Sequence, residues 1–359
     1  MRIGIDITKA LGRPDGIGNY VTGLASALME IDRQNEYLLY SPVEQHSSAE
    51  VARRFPGAAP NFAYRGSSPP GADRIDVFHV TAHRVPVGMR APLLFTLYDL
   101  SFLTHPDCHT IGNRLLCLTG LARAAAAGAR VQAISDATRQ DARQLLALRD
   151  VAVVHPAAHA RFRPQERATV DAVLARHGLA RPYVLSVGVL EPRKNLAGLL
   201  AGFARLPAEP AVTLAVAGPA GWLVADPRQL ADESGAGERV RLLGEVPDED
   251  LPALYAGAEL LVYPSLHEGF GLPVLEAMSC GTPVVVSRVP ALAELVGEAG
   301  ILVEPEPQAI ADGIAALLGD PTRRAELSAA GLERAADFSW QRAAAATLEL
   351  YRGLAAGPG

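Results

Sequence analysis

The chain has 359 residues, 49% hydrophobic and 20% charged, enough for two domains with sizeable cores. A formal net charge of −6 speaks against a nucleic-acid partner, and the longest apolar candidate, Leu115 to Ala129, is broken by Arg123 and too short to span a bilayer. The three cysteines, Cys108, Cys117 and Cys280, are odd in number and lack metal-site spacing, which fits a reducing cytoplasm better than a disulfide framework.

The first predicted strand, Arg2–Ile7, starts almost at the N-terminus, so no signal peptide is expected. Pro14-Asp15-Gly16-Ile17-Gly18 then reads as a turn entering a helix, its amides either facing a phosphate or closing a tight turn. It lacks the third glycine and the ribose carboxylate of a dinucleotide fingerprint. A strand at Tyr37–Tyr40 follows, then a Pro-, Gly-, Ala- and Ser-rich stretch at 56–73 expected to be a mobile loop. Strands at Asp76–Val80 and Leu93–Leu97 come next, the second running into Tyr98-Asp99-Leu100-Ser101. After Val131–Ile134, Ser135 reads as a helix cap, and Ala152–His155 ends the first half. Residues 1–178 carry +4 and the remainder −10, with six arginines and two aspartates between Arg114 and Arg149. That run is either a solvated helix face or a surface for an anionic membrane or acceptor.

A turn-rich boundary is expected at Arg161–Pro182. Beyond it, strands are predicted at Tyr183–Val187, Val212–Ala217, Val240–Leu243, Leu260–Tyr263, Val284–Val286 and Ile301–Val303, and an amphipathic helix at the tail, Phe338 to Leu354. Short apolar runs alternate with helix-length spacers, and the pattern runs twice. The fold class is therefore α/β: two doubly wound Rossmann-like domains with parallel sheets facing across a cleft. The domains are placed at 1–170 and 179–338, with residues 339–359 as a final helix.

Three motifs carry chemistry. In Gly188-Val189-Leu190-Glu191-Pro192-Arg193-Lys194-Asn195, Asn195 can cap the following helix, which puts two cations at the positive end of its dipole. A bound anion would relieve that conflict, and two solvated basic residues are the plain alternative. Asp248-Glu249-Asp250 spells a metal-binding Asp-x-Asp, but it follows Pro247 and precedes Leu251, so it reads more simply as an acidic helix start. The third motif is His267-Glu268-Gly269-Phe270-Gly271-Leu272-Pro273-Val274-Leu275-Glu276-Ala277-Met278. A strand ends at Pro264, and Pro273 suits a first helical turn, so Glu268 falls in a strand-to-helix loop and Glu276 in the helix. Gly269 and Gly271 let a ligand approach backbone amides beside two carboxylates.

This third motif resembles the Glu-x7-Glu element of retaining glycosyltransferases of family 4, with the GT-B architecture, and the intervening residues match too. The Glu-Pro-Arg-Lys-Asn stretch is similar to that of bacterial polysaccharide mannosyltransferases. The resemblance implies diphosphate contacts from Arg193 and Lys194, ribose contacts from Glu276, and donor-sugar contacts from Glu268. It adds Gly16, Val246, Gly269, Phe270, Gly271 and Leu272 to the donor site, with Val246 near the nucleotide base. Tyr98, Asp99 and Ser101 would face the acceptor, and Tyr98 would join the catalytic set with Glu268, Arg193 and Lys194. Three places depart from the family pattern: Val189 stands where many relatives have an arginine, Asp15 where they have a glycine, and Tyr98 where they have a histidine. The other histidines near those strands, His79, His83, His105 and His109, read as surface residues.

The resemblance implies a cytoplasmic, metal-independent, retaining hexosyltransferase without a cofactor, working in polysaccharide or related synthesis. Its partners would be a nucleotide-diphosphate sugar, GDP-mannose-like by preference, a glycan, lipid-linked or small-molecule acceptor, and an anionic membrane touched peripherally. A non-catalytic partner subunit, a sugar-phosphate phosphorylase and a nucleotide-sugar epimerase are the alternatives. Donor sugar, nucleotide base, acceptor and linkage are not readable from the residues.

Overall fold

The computed structural model describes residues 1–12, 15–41, 46–68, 70–209 and 211–357; Pro14 of the first turn and Pro69 of the stretch at 56–73 lie outside them. The chain forms two compact units, one from residues 1–102, 111–157 and 338–359, the other from 103–110 and 158–337.

The first unit is built on seven strands: β1 Arg2–Asp6, β2 Glu36–Tyr40, β3 Phe62–Gly66, β4 Val77–Val80, β5 Leu93–Leu97, β6 Arg130–Ala133 and β7 Val151–Val153. Their order is β3-β2-β1-β4-β5-β6-β7, and every pairing is parallel. The inner strands are nearly continuous apolar runs because both faces are covered, as in parallel sheets generally. β3 corrects the expectation of a loop at 56–73. Its alternating half-buried and exposed residues fit a sheet edge, where little hydrophobic signal is needed.

The second unit has six parallel strands: β8 Tyr183–Val187, β9 Thr213–Ala217, β10 Val240–Gly244, β11 Leu260–Tyr263, β12 Val284–Ser287 and β13 Ile301–Val303, in the order β10-β9-β8-β11-β12-β13. Its core joins Val184, Leu214, Val216, Leu260, Val262 and Val285 to Leu199, Phe203, Ile310 and Ile314 of the flanking helices. Both sheets reverse strand order beside their first strand, the doubly wound arrangement whose ligands bind outside the carboxyl ends of the strands. At those ends in the second unit, Gly218 comes so close to Gly188 that a Cβ would lie 1.9 Å from the Gly188 carbonyl oxygen.

The helix Trp340–Ala355 belongs to the first unit. Trp340 fills the space above Gly23, where any Cβ would sit 2.2 Å from the indole. Tyr351 is fully buried and lies 2.7 Å from His79 Nδ1 through its hydroxyl. His79 Nε2 in turn lies 2.7 Å from Thr96 Oγ1, and Gln132 joins the group through Tyr20 and Thr96. Burial pushes the His79 imidazole down to about 3, so it is neutral and holds the helix by hydrogen bonds, not as the surface residue expected. Among the described residues no helix is long and apolar enough to cross a membrane.

Candidate active site

In the second unit, β11 ends at Pro264 and the chain turns toward the helix Leu272–Ser279. Gly271 starts that helix at φ +105°, and a Cβ there would lie 2.5 Å from Leu292, so both backbone and packing demand glycine. The turn buries Glu268, whose carboxylate is 2.6 Å from Lys194 Nζ and 3.0 Å from Arg193 Nη1. Burial alone would raise its pKa, but the two cations win and hold it down at about 2. Burial lowers Lys194 while Glu268 opposes that shift. Lys194 also donates to the Tyr263 hydroxyl at 2.6 Å. Arg193 reaches Glu191 at 2.5 Å and the His267 carbonyl at 2.9 Å.

This geometry corrects two expectations. Arg193 and Lys194 are not uncompensated cations at a helix end; they sit in the short turn Pro192–Lys194, and Glu191 and Glu268 balance them. Asn195 does not cap the helix Leu196–Phe203 with its side chain. It adopts a left-handed backbone at φ +55°, and its amide donates to the carbonyls of Pro264 and Pro305 at 3.2 and 2.8 Å. It therefore ties the Arg-Lys loop to the Glu268 loop.

Glu276 stands apart from that cluster. It is half-buried in its helix and accepts from the Tyr255 hydroxyl at 3.0 Å. Burial pushes it up to about 8, with Tyr255 and the more distant Arg161 opposing. The two motif carboxylates thus lie on opposite sides of neutrality, the pattern that separates roles within a site. Phe270 and Val246 are buried, and Leu272 is half-buried. Asp248 faces Arg161 at 3.4 Å, and Asp250 pairs with Arg176 and with His177, the latter at 2.8 Å. Both aspartates of the Asp-x-Asp sequence therefore already have basic partners.

The residues expected on the acceptor side lie in the first unit. Tyr98, just past β5, donates its hydroxyl to the Thr81 carbonyl at 2.7 Å and meets Tyr20 edge-on at 5.4 Å. Asp99 Oδ1 accepts from the Ser101 amide and hydroxyl at 2.9 and 2.6 Å, starting the next helical turn. Gly16 begins the helix Gly16–Ile31 in open space. Asp15 caps that helix, accepting from Gly18 N at 2.9 Å, with Lys9 at 2.9 Å from its other oxygen. A cavity of about 480 Å³ opens at the carboxyl ends of β1, β2 and β3, with Asp6, Tyr40, Ser67, Ser68, Arg84 and Arg123 among its polar lining.

Sequence reasoning missed Tyr255 and Tyr263, the hydroxyl partners of Glu276 and Lys194, and gave Glu191 no role. Only the placement of Tyr263 at a strand end pointed toward the site.

Comparison with known proteins identifies the family. A family model for glycosyl transferases group 1 matches residues 175–334. The chain is 37% identical to O-antigen chain mannosyltransferase B of Escherichia coli over 263 residues, covering 72% of this chain and 69% of that protein. It is 39% identical to D-inositol 3-phosphate glycosyltransferase 1 of Catenulispora acidiphila, over 60% of this chain and 56% of that one. Anabaena HepE, solved in complex with UDP and glucose, shares the fold with a TM-score of 0.78 at 20% identity, covering 98% of this chain and 99% of that one. Sucrose-phosphate synthase from Thermosynechococcus elongatus does so with 0.77 at 22% identity over the full length of both. With these matches and two parallel-sheet units, the chain belongs to the group 1 glycosyltransferases and has the GT-B fold.

Proposed function

We propose that the protein transfers a hexose from a nucleoside-diphosphate sugar to a glycan, glycolipid or natural-product acceptor, with retention and without a metal ion. The observation that carries this is Glu268 clamped between Arg193 and Lys194 at the strand ends of the second unit. As the sugar leaves, negative charge grows on the diphosphate. Cations already fixed in a dry site stabilise that charge with little reorganisation. Arg193 and Lys194 would share themselves between Glu268 and the diphosphate, while Glu268 takes a hydroxyl of the sugar. Glu276, with no cation in salt-bridge contact among the described residues, would accept from the ribose hydroxyls. The likeness to O-antigen chain mannosyltransferase B favours GDP-mannose, and HepE, which holds UDP and glucose, makes a uridine donor the runner-up. The basic partners of Asp248 and Asp250 support a metal-free reaction.

The acceptor would use the cavity of the first unit, with Tyr98, Asp99 and Ser101 at the neighbouring strand end. The helix Ile111–Ala126 exposes Ile111, Leu115 and Leu118 together with Arg123, which supports peripheral contact with the inner face of a membrane. Flotation with phosphatidylglycerol vesicles tests that contact, and failure to float removes it.

The reading as a whole is tested by incubating the protein with GDP-mannose and UDP-glucose, with and without acceptor, and assigning the product anomer by NMR. A product with the donor's anomeric configuration is expected. An inverted product removes retention. Sugar phosphate formed from orthophosphate identifies a phosphorylase, and a new sugar nucleotide without acceptor an epimerase. Binding without any product identifies a non-catalytic subunit.

A further inference from the structure

The segment 103–110 packs with the second unit although the residues on both sides of it belong to the first. Trp222, in the loop after β9, donates its indole N–H to the Cys108 carbonyl at 2.9 Å. The His105 ring lies against the His267 ring, with centroids 5.1 Å apart and planes tilted by 44°. Thr104 Oγ1 fixes His105 through Nδ1 at 2.9 Å. His267 is the residue before Glu268, and Arg193 holds its carbonyl. Its Nε2 is buried and has no hydrogen-bond partner among the described residues. Buried polar atoms are nearly always paired, so an unpaired one calls for a partner that the fold itself does not supply.

We propose that His267, backed by His105, reads the hexose of the donor, so that Nε2 of His267 hydrogen-bonds a sugar hydroxyl. The proposal rests on the nucleotide-sugar reading above. Arg193 and Lys194 already supply charge for a diphosphate next door, and an imidazole nitrogen can donate to or accept from a sugar hydroxyl. His267 is thus a specificity-determining residue, and His105 positions it.

Calorimetry with GDP and GDP-mannose, and with UDP and UDP-glucose, tests this on the wild type, His267→Ala, His267→Gln and His105→Ala, each checked by a melting curve. The wild type should bind one sugar nucleotide more tightly than its parent nucleoside diphosphate. His267→Ala should leave the nucleoside-diphosphate affinity within about twofold and weaken the sugar nucleotide roughly tenfold, the size of one hydrogen bond. His267→Gln, which keeps a donor and an acceptor, should recover part of that loss, and His105→Ala should lose part of it. Equal weakening of both ligands, or no change in the sugar increment, overturns the proposal. A wild type that binds neither ligand overturns the donor reading itself.

Discussion

Glu276 offers the sharpest test of the donor site. Its pKa rises from the ordinary value of 4.5 to about 8 because the fold buries it. The folded protein therefore keeps a proton that the unfolded chain has released between those two values. Stability falls as pH rises through that window and levels off above about pH 8. For an enclosed group the full loss would be about 5 kcal/mol, and for a half-buried one that water still reaches about 2–3 kcal/mol. Binding carries the opposite sign. If ribose hydroxyls donate to this carboxylate, the ligand selects the ionised form. At pH 7 only about a tenth of the free protein is ionised there, so nucleoside-diphosphate affinity should rise roughly tenfold between pH 7 and 9. Calorimetry in two buffers of different ionisation enthalpy should show about one proton released per ligand at pH 7. Glu276→Gln should abolish that release, bind more weakly at pH 9 by about 1.5–3 kcal/mol, and melt at a higher temperature than wild type above pH 8. Because the ligand's own phosphates titrate identically in both proteins, equal pH profiles for wild type and Glu276→Gln would refute the ribose role.

Four further outcomes are expected. Lys194→Ala and Arg193→Ala should lower turnover by roughly 10²–10³, and each should also destabilise by about 3–5 kcal/mol by leaving Glu268 buried beside one cation instead of two; combining Lys194→Ala with Glu268→Gln should restore the melting temperature but not turnover. Glu268 is depressed to about 2, so it contributes stability above about pH 4.5 that is lost as pH falls toward 2; Glu268→Gln should flatten that acid limb, and an unchanged limb would count against the pairing. Tyr98→Phe should keep most activity and lose about 1 kcal/mol with the bond to Thr81, whereas Tyr98→Ala should lose about 3–5 kcal/mol and substrate positioning; an inactive but well-folded Tyr98→Phe would mean that the hydroxyl takes part in the chemistry. Activity should persist in excess chelator, and its loss with recovery on adding manganese would point back to Asp248 and Asp250.

The two-sheet architecture was legible because parallel strands buried on both faces must be continuous apolar runs, as Leu93–Leu97 and Leu260–Tyr263 are. β3 was not, since an edge strand needs little burial and this one lies among Pro, Gly and Ser. The loop position of Glu268 followed from Pro264, Gly271 and Pro273, whose backbone preferences are local. What holds Glu268 did not follow. Lys194 meets it from the turn after β8, and 74 positions of sequence separate Lys194 from Glu268. Distance along the chain hides such partners. For the same reason Arg193 and Lys194 looked like a conflict awaiting an anion when the fold already balances them. Asn195 misled differently: its type suits a cap, but its left-handed backbone turns the amide toward Pro264 and Pro305.

The return of residues 338–357 to the first unit sets an order of assembly during synthesis. A ribosome releases β1 to β7 first, but the groove over Gly23 and the partner of His79 arrive only after the entire stretch 158–337 has emerged. Until then the first unit waits with an indole-sized gap and an imidazole nitrogen lacking its phenol, while the second unit has nearly all of its own chain in hand. A nascent protein stalled before Trp340 should therefore carry a finished second unit and an unfinished first one. Quality-control proteases would meet the older half of the chain as the less protected half.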